Sequence, residues 1–252
     1  MTGYPGPAER RGAAVLRSRE ELLAAAQALD AEGWSWPRRG RVLTRAWRTA
    51  ADVGLVTYPL GRDRTKAWDV WHTVQHLHAT ADPSGLVFDI GAWQSEVLWA
   101  LHCAGFRRLA GCDTDRRVRR MPGAGHITYQ QADFFDAAIE RSSLAALTCL
   151  SVIEHGMDPD AFFARAASLL EPSGRIVLTT DYWPDPVDTT GLEAFGRPWR
   201  ICSRAEAERW LAVAQSHGLR ADGAVELGTD DAPITWNGRS YTFLRIALVA
   251  EA

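Results

Sequence analysis

Leu86-Val87-Phe88-Asp89-Ile90-Gly91 is the stretch of sequence that decides the fold of this chain. Its first five residues are apolar except for one aspartate, which is typical of a short buried strand. Gly91 allows the backbone to turn sharply. Apolar residues then recur with helical spacing over residues 95–104. The stretch therefore predicts a strand, a glycine turn and a helix that covers the strand.

Further strands and helices alternate downstream of this unit. Strand-like patterns occupy residues 108–112, 127–131, 144–150, 175–180, 224–227 and 241–249, with helical patterns over 159–170 and 204–217. The alternation predicts an α/β domain with a mostly parallel seven-stranded sheet and helices on both faces. Only the loop 228–239 joins the last two strands, and a parallel crossover normally needs a helix. The last strand is therefore expected to be antiparallel to its neighbour.

Upstream of the first strand the pattern is helical. Apolar spacing predicts helices over residues 20–31, 42–53 and 64–79, whereas residues 1–12 resemble a flexible arm. We therefore divide the chain into an N-terminal helical extension or cover, 1–80, and the α/β domain, 81–252.

Composition limits the class of protein. The 252 residues are 46 % apolar and 23 % charged, which is ordinary for a soluble globular protein. A net charge of −3 gives no reason to expect nucleic-acid or membrane partners, and the arginine runs 38–41 and 116–120 are interpreted as solvated surface. No apolar run suits a membrane span or a signal peptide, so a cytoplasmic location is expected. Four widely spaced cysteines favour buried free thiols.

Carboxylates follow three successive predicted strands. Asp89 ends the first strand, Asp113 the second, and Asp133 with Phe134 follows the third. In an open parallel sheet, ligands bind beyond the carboxyl ends of the strands. Asp113 offers two acceptors to two ribose hydroxyls, and Asp133 can accept from an adenine amino group. Each aspartate alone could instead cap a helix or end a strand.

The ordered motifs resemble those of class I S-adenosylmethionine (SAM)-dependent methyltransferases. They are Asp89-Ile90-Gly91, Gly111-Cys112-Asp113, Ala132-Asp133-Phe134, Leu150-Ser151-Val152-Ile153-Glu154-His155 and the run 169–178. The resemblance covers about residues 85–250 and implies a Rossmann-like fold with SAM as cofactor. It places Asp89 and Gly91 at the methionine end of SAM, and Ala92 and Trp93, which follow in the same turn, are also expected to contact the cofactor. It places Asp113 and Thr114 at the ribose, Asp133 and Phe134 at the adenine, and Leu150 and Ser151 in the floor.

The resemblance implies methyl transfer to a small-molecule acceptor such as a sugar or natural-product hydroxyl. One departure is that Ala92-Trp93 follows Gly91, where the family usually has Gly-x-Gly. It motivates two alternatives: a SAM-binding enzyme that catalyses another reaction, or a non-catalytic binding module. The partner is expected to be a small molecule, with neither nucleic acid nor membrane, and the oligomeric state is open.

Candidate catalytic residues follow the fourth and fifth strands. His155 is a candidate general base, because an unperturbed pKa near ~6.5 suits proton transfer at neutral pH. Asp181 and Tyr182 follow the fifth strand and could orient or deprotonate the acceptor. Asp181, Asp185 and Asp188 lack tight ligand spacing, and His72 and His76 lack further ligands nearby, so no metal site is predicted.

Overall fold

The computed structural model describes residues 11–37, 41–60, 64–123 and 125–251. Most of the predicted arm, residues 1–10, lies outside them. None of the helices in these ranges is both long enough and apolar enough to cross a membrane.

Ten of the strands form one sheet. These are β1 (Arg11–Val15), β2 (Leu86–Ile90), β3 (Arg108–Asp113), β4 (Ile127–Gln131), β5 (Leu144–Leu150), β6 (Leu170–Tyr182), β9 (Leu219–Ala221), β10 (Ala224–Val225), β11 (Ile234–Trp236) and β12 (Arg239–Ala250). Their order is β10-β1-β12-β6-β5-β2-β3-β4, with β9 and β11 also paired to β12. The short strands β7 (Glu193–Ala194) and β8 (Arg197–Pro198) form a separate pair.

The directions of the strands confirm the predicted mixed sheet. Strands β2 to β6 pair in parallel, and β12 runs antiparallel to β6. The seven predicted strands are present, and β1, β9 and β11 bring the total in this sheet to ten. From β2 the chain proceeds to β3 and β4 on one side, while β5 and β6 lie on the other. Such a reversal leaves a crevice at the carboxyl ends of β2 and β5, where ligands bind in open α/β sheets.

Helices cover both faces of the sheet. They are α1 (Arg19–Ala31), α2 (Arg41–Asp52), α3 (Ala67–Thr80), α4 (Val97–Cys103), α5 (Pro159–Leu169) and α6 (Arg204–Ser216). Apolar side chains of α5 and α6, such as Phe162 and Trp210, pack into one core cluster. Those of α1, α3 and α4, such as Leu22, Trp71 and Leu98, pack into the other. The three N-terminal helices agree with the predicted ones to within a few residues.

The N-terminal segment contributes a strand as well as helices. Within the predicted arm, Arg11 and Gly12 belong to β1, which pairs antiparallel with β12 and parallel with β10. Ala13 is fully buried. The segment Arg11–Val15 lacks the alternation of apolar and polar residues that would predict a strand, and it is ordered by backbone pairing with strands from the other end of the chain.

Candidate active site

The turn after β2 is tightly built. Gly91 has φ +76°, and a Cβ atom there would lie 2.4 Å from Cγ2 of Val152. The backbone N–H groups of Gly91 and Ala92 both donate to the carbonyl of Cys112 at 3.0 Å. A side chain at position 91 would therefore clash, and the turn is fixed against the end of β3.

Asp89 lies beneath this turn. Its carboxylate is fully buried and accepts a 2.6 Å hydrogen bond from Oγ1 of Thr148. Desolvation raises the pKa of Asp89 to about 7, and the hydrogen bonds from Thr148 and Ser95 oppose that rise. The carboxylate supports the turn from inside the sheet.

Asp113 lies at the carboxyl end of β3 and is partly exposed. One carboxylate oxygen accepts from the backbone N–H of Trp93 at 3.0 Å, and the other accepts from that of Asp115 at 2.7 Å. An ionised carboxylate has about four lone-pair sites. Each oxygen therefore keeps capacity for one further donor, and exposed Thr114 lies beside it.

Trp93 packs against residues from outside the turn. Its ring meets Tyr58 edge-on, with centroids 4.8 Å apart, and the Arg117 guanidinium lies 4.6 Å from its centroid. Ala92 is fully buried beside it. The Trp93 side chain, which stands where the family usually has a glycine, thus packs against the segment after α2 and the 3-10 turn Arg116–Arg120.

The two residues predicted at the adenine lie in different environments. Asp133 is partly exposed, and its Oδ1 accepts from the backbone N–H of Phe135 at 3.1 Å. The Phe134 ring is only 2 % exposed, packs against Phe162, and is covered by Arg165. Phe135, at 39 % exposure, is the aromatic side chain of this pair that a ligand could reach.

A lysine lies next to the floor of the crevice. Nζ of Lys66 donates to Oγ of Ser151 at 2.6 Å and lies 3.9 Å from the ring centroid of Phe243. It is also 3.6 Å from Oδ1 of Asp181 and 3.7 Å from Oδ2 of Asp69. Ser151 has φ +54°, a region that few serines occupy. Leu150, half-buried, precedes it at the end of β5.

Acidic groups surround this ammonium. Oδ2 of Asp181 accepts from the indole N–H of Trp199 at 2.7 Å, which fixes the carboxylate. Glu154 is buried nearby, in the 3-10 turn Ile153–His155. Desolvation, and then the charge of Asp181, raise the pKa of Glu154 to about 8, while Lys66 opposes them. Burial therefore favours the protonated form of Glu154.

His155 adjoins the same cluster. Burial lowers its pKa, although a hydrogen bond to the Pro198 backbone and the charge of Asp181 act in the opposite direction. The ring meets Phe195 edge-on at 5.8 Å between centroids. Its Nδ1 is buried and has no hydrogen-bond partner among the described residues. A neutral imidazole with a free nitrogen can accept a proton.

Tyr182 lies apart from this group. It is fully buried, and its hydroxyl donates to the carbonyl of Leu227 at 2.7 Å. Because neighbouring side chains on a strand point to opposite faces, Tyr182 faces away from Asp181. The structure thus brings His155 and Asp181 together and places Tyr182 in the core.

Sequence reasoning missed Lys66, although composition held a signal. Lys66 is the only lysine in a chain with 28 lysine and arginine residues. Lysine carries a compact ammonium where arginine carries a wide planar group, so a chain that otherwise uses arginine retains it where that shape matters. The described residues contain no group of three or more His, Cys, Asp or Glu side chains that could hold a metal ion.

Comparison with known proteins identifies the central segment. Residues 88–178, from β2 to β6, match a family model described as a methyltransferase domain. The match covers less than half of the chain, and within it the segment resembles a methyltransferase domain. The match supports the resemblance of this segment to class I SAM-dependent methyltransferases.

The relatives of the methyltransferase domain are distant. A 65-residue stretch is 34 % identical to a ubiquinone biosynthesis O-methyltransferase of Xanthomonas axonopodis pv. citri (strain 306), covering 25 % of this chain and 27 % of that protein. The chain thus matches about a quarter of the length of this curated relative.

Solved structures share the fold. Geranyl diphosphate C-methyltransferase of Streptomyces coelicolor A3(2) has a TM-score of 0.55 at 17 % identity, with coverage of 75 % of this chain and 86 % of that one. A SAM-dependent methyltransferase of Mesorhizobium loti has a TM-score of 0.52 at 18 % identity, with coverage of 71 % and 96 %. At these identities the likeness confirms the Rossmann-like fold.

Proposed function

We propose that this chain binds SAM and transfers its methyl group to a hydroxyl of a small molecule such as a sugar or a natural product. The observation that carries the proposal is the geometry at the ends of β2 and β3. A glycine turn without room for a side chain lies beside a carboxylate that retains acceptor capacity on both oxygens.

The donor and acceptor groups in the crevice suit SAM. Asp113 can accept from two ribose hydroxyls while keeping its bonds to the backbone of Trp93 and Asp115. Asp133 can accept from the adenine amino group, and exposed Phe135 can pack on the base. The close approach of backbone at Gly91 suits the methionine end. When bound, SAM supplies an electrophilic methyl group.

The residues around His155 and Asp181 would bind and deprotonate the acceptor hydroxyl. His155, whose pKa burial lowers, would accept the proton that the acceptor hydroxyl loses as its oxygen bonds to the methyl carbon and the sulfur–methyl bond breaks. Asp181, fixed by Trp199, favours the imidazolium that results. Lys66 fixes Ser151 by a hydrogen bond at the end of β5.

Calorimetry with Asp113→Asn tests the cofactor half of the proposal. We expect SAM affinity to fall by about 1–3 kcal/mol, because the substitution turns one carboxylate oxygen into an NH2 group, which cannot accept from a ribose hydroxyl, and removes the negative charge. The exposed Asp136→Asn is the matched control and should bind SAM like the wild type.

Two results would contradict this proposal. Unchanged SAM affinity in Asp113→Asn would remove the ribose assignment. Turnover of SAM to a product other than S-adenosylhomocysteine, identified by mass spectrometry, would indicate a different reaction.

A further inference from the structure

Two arginine-rich segments that are far apart in sequence meet on one surface. The first is α2 with the loop 53–57 that follows it, and the second is the turn Arg116–Arg120. Arg120 joins them, since its Nη1 donates to the Asp52 carbonyl at 3.5 Å and its own carbonyl accepts from the Tyr58 N–H at 2.7 Å. We call the exposed side chains of these two segments the α2 face.

The α2 face is strongly basic although the whole chain carries a charge of −3. Its exposed arginines are Arg45, Arg48, Arg116, Arg117 and Arg119. Among the described residues the acids of this surface are Asp52, at the end of α2, and Asp115, which directly precedes the turn Arg116–Arg120. Asp52 accepts from the Tyr58 hydroxyl at 2.6 Å, and Asp115 pairs with Arg117 at 2.5 Å. The positive charge is therefore largely uncompensated locally.

The same face exposes aliphatic side chains. Of the ten exposed large apolar residues among those described, five belong to it: Val42 (82 %), Leu43 (65 %), Val53 (70 %), Leu55 (77 %) and Val56 (42 %). Half of the exposed large apolar side chains thus lie within fifteen consecutive residues. Clustered exposed apolar side chains on a monomer mark an interaction surface.

We propose that the α2 face docks on the surface of an anionic lipid bilayer. A helix that carries both arginines and aliphatic side chains combines attraction to anionic headgroups with burial of apolar groups at the boundary of the acyl chains. The phosphates of a nucleic acid would pair with the arginines, but they would offer the exposed aliphatic side chains no apolar partner. Two copies of this face would bring like charges together.

Vesicle flotation of the full chain tests the proposal. The probes are vesicles of phosphatidylcholine alone and of phosphatidylcholine with phosphatidylglycerol in a ratio of about 7:3, at about 0.1 M salt. We expect the protein to float with the anionic vesicles and to remain unbound with the neutral ones. Arg45→Gln/Arg48→Gln should lower the partition coefficient by roughly 30-fold, because each basic residue adds roughly fivefold.

Matched variants separate this face from the rest of the surface. Leu43→Asp/Leu55→Asp should also lower the partition coefficient, because the apolar contacts are lost and two negative charges are added. Arg141→Gln/Arg220→Gln removes the same charge from other exposed sites, and Leu23→Asp changes an exposed leucine of α1. Both controls should bind anionic vesicles like the wild type, and thermal melts should show that all variants are folded.

Three results would overturn the proposal. The first is absence of flotation with anionic vesicles, or equal flotation with neutral ones. The second is binding to a fluorescent RNA oligonucleotide without binding to vesicles. The third is a dimer in sedimentation velocity that Leu43→Asp/Leu55→Asp dissociates, which would assign the face to a second copy. SAM binding is measured separately, so its failure would leave this outcome unaffected.

Discussion

At the scale of single residues, His155 carries the proposed proton transfer. Because burial lowers its pKa, we expect the acidic limb of the pH–rate profile to lie below the ordinary histidine value of ~6.5. His155→Ala should lower kcat by about 10²–10⁴-fold and remove that limb, since the titrating base is gone. SAM affinity should change little. Single-turnover methyl transfer at saturating SAM, measured across pH, checks this.

Other outcomes for His155 have distinct meanings. Near-normal turnover in His155→Ala would exclude a general base there. A parallel loss of SAM affinity with a retained acidic limb would indicate packing against the cofactor. A small rate effect with the limb retained would direct attention to Asp181, and Asp181→Asn would then be the variant to compare. His217→Ala, at the C-cap of α6, serves as the control.

Some residues of the site follow from sequence position and others do not. Asp113 and Asp133 could be predicted, because a residue that directly follows a parallel strand has a fixed place at the edge of the sheet. Which of the two neighbouring rings faces the crevice could not be predicted, since both Phe134 and Phe135 follow Asp133. Packing of Phe134 against Phe162 turns that ring into the core. Lys66 reaches Ser151 only because α3 packs across the sheet, which no local pattern shows.

At the scale of elements, long periodic segments were predictable and short ones were not. Helices α5 and α6 have Asp158 and Ser203 as N-caps, and their predicted ends agree with the structure to within one residue. Strands β9 and β11 have three residues each, too few to show a period of two. They adopt strand structure because their backbones pair with β12.

Strand β1 gives a prediction that belongs to this scale. A Cβ atom at Gly12 would lie 2.7 Å from the Gly223 carbonyl oxygen and 2.8 Å from Cβ of Ala221. Gly12→Ala should therefore lower the free energy of unfolding by about 1–3 kcal/mol through overpacking. At Gly228 an added Cβ would meet only Nη2 of Arg204, at 3.9 Å. Gly228→Ala is the matched control, expected within about 0.5 kcal/mol of the wild type.

Chemical denaturation of both variants measures this difference. Equal stabilities for Gly12→Ala and Gly228→Ala would show that β1 does not pack closely against the segment 221–223. Residues 11–12 would then belong to a flexible arm, as the sequence predicts.

At the scale of the whole molecule, buried carboxylates determine how stability responds to pH. The folded pKa of Glu154 is raised from 4.5 to about 8 and that of Asp89 from 3.8 to about 7. Between the unfolded and the folded pKa, the folded protein holds a proton that the unfolded chain has lost. At these two groups the unfolded state therefore binds fewer protons, so their contribution to the free energy of unfolding falls as pH rises through this window.

Glu154→Gln removes one of these two groups and keeps its shape. The pH dependence of the free energy of unfolding between about pH 5.5 and 7 should then become less negative by up to ~1.4 kcal/mol per pH unit, the value for one proton. Denaturant unfolding at several pH values measures the slope, with the exposed Glu140→Gln as the control that should match the wild type. An unchanged slope in Glu154→Gln would mean that Glu154 is ionised in the folded protein, with Lys66 as the nearest cation able to hold that charge.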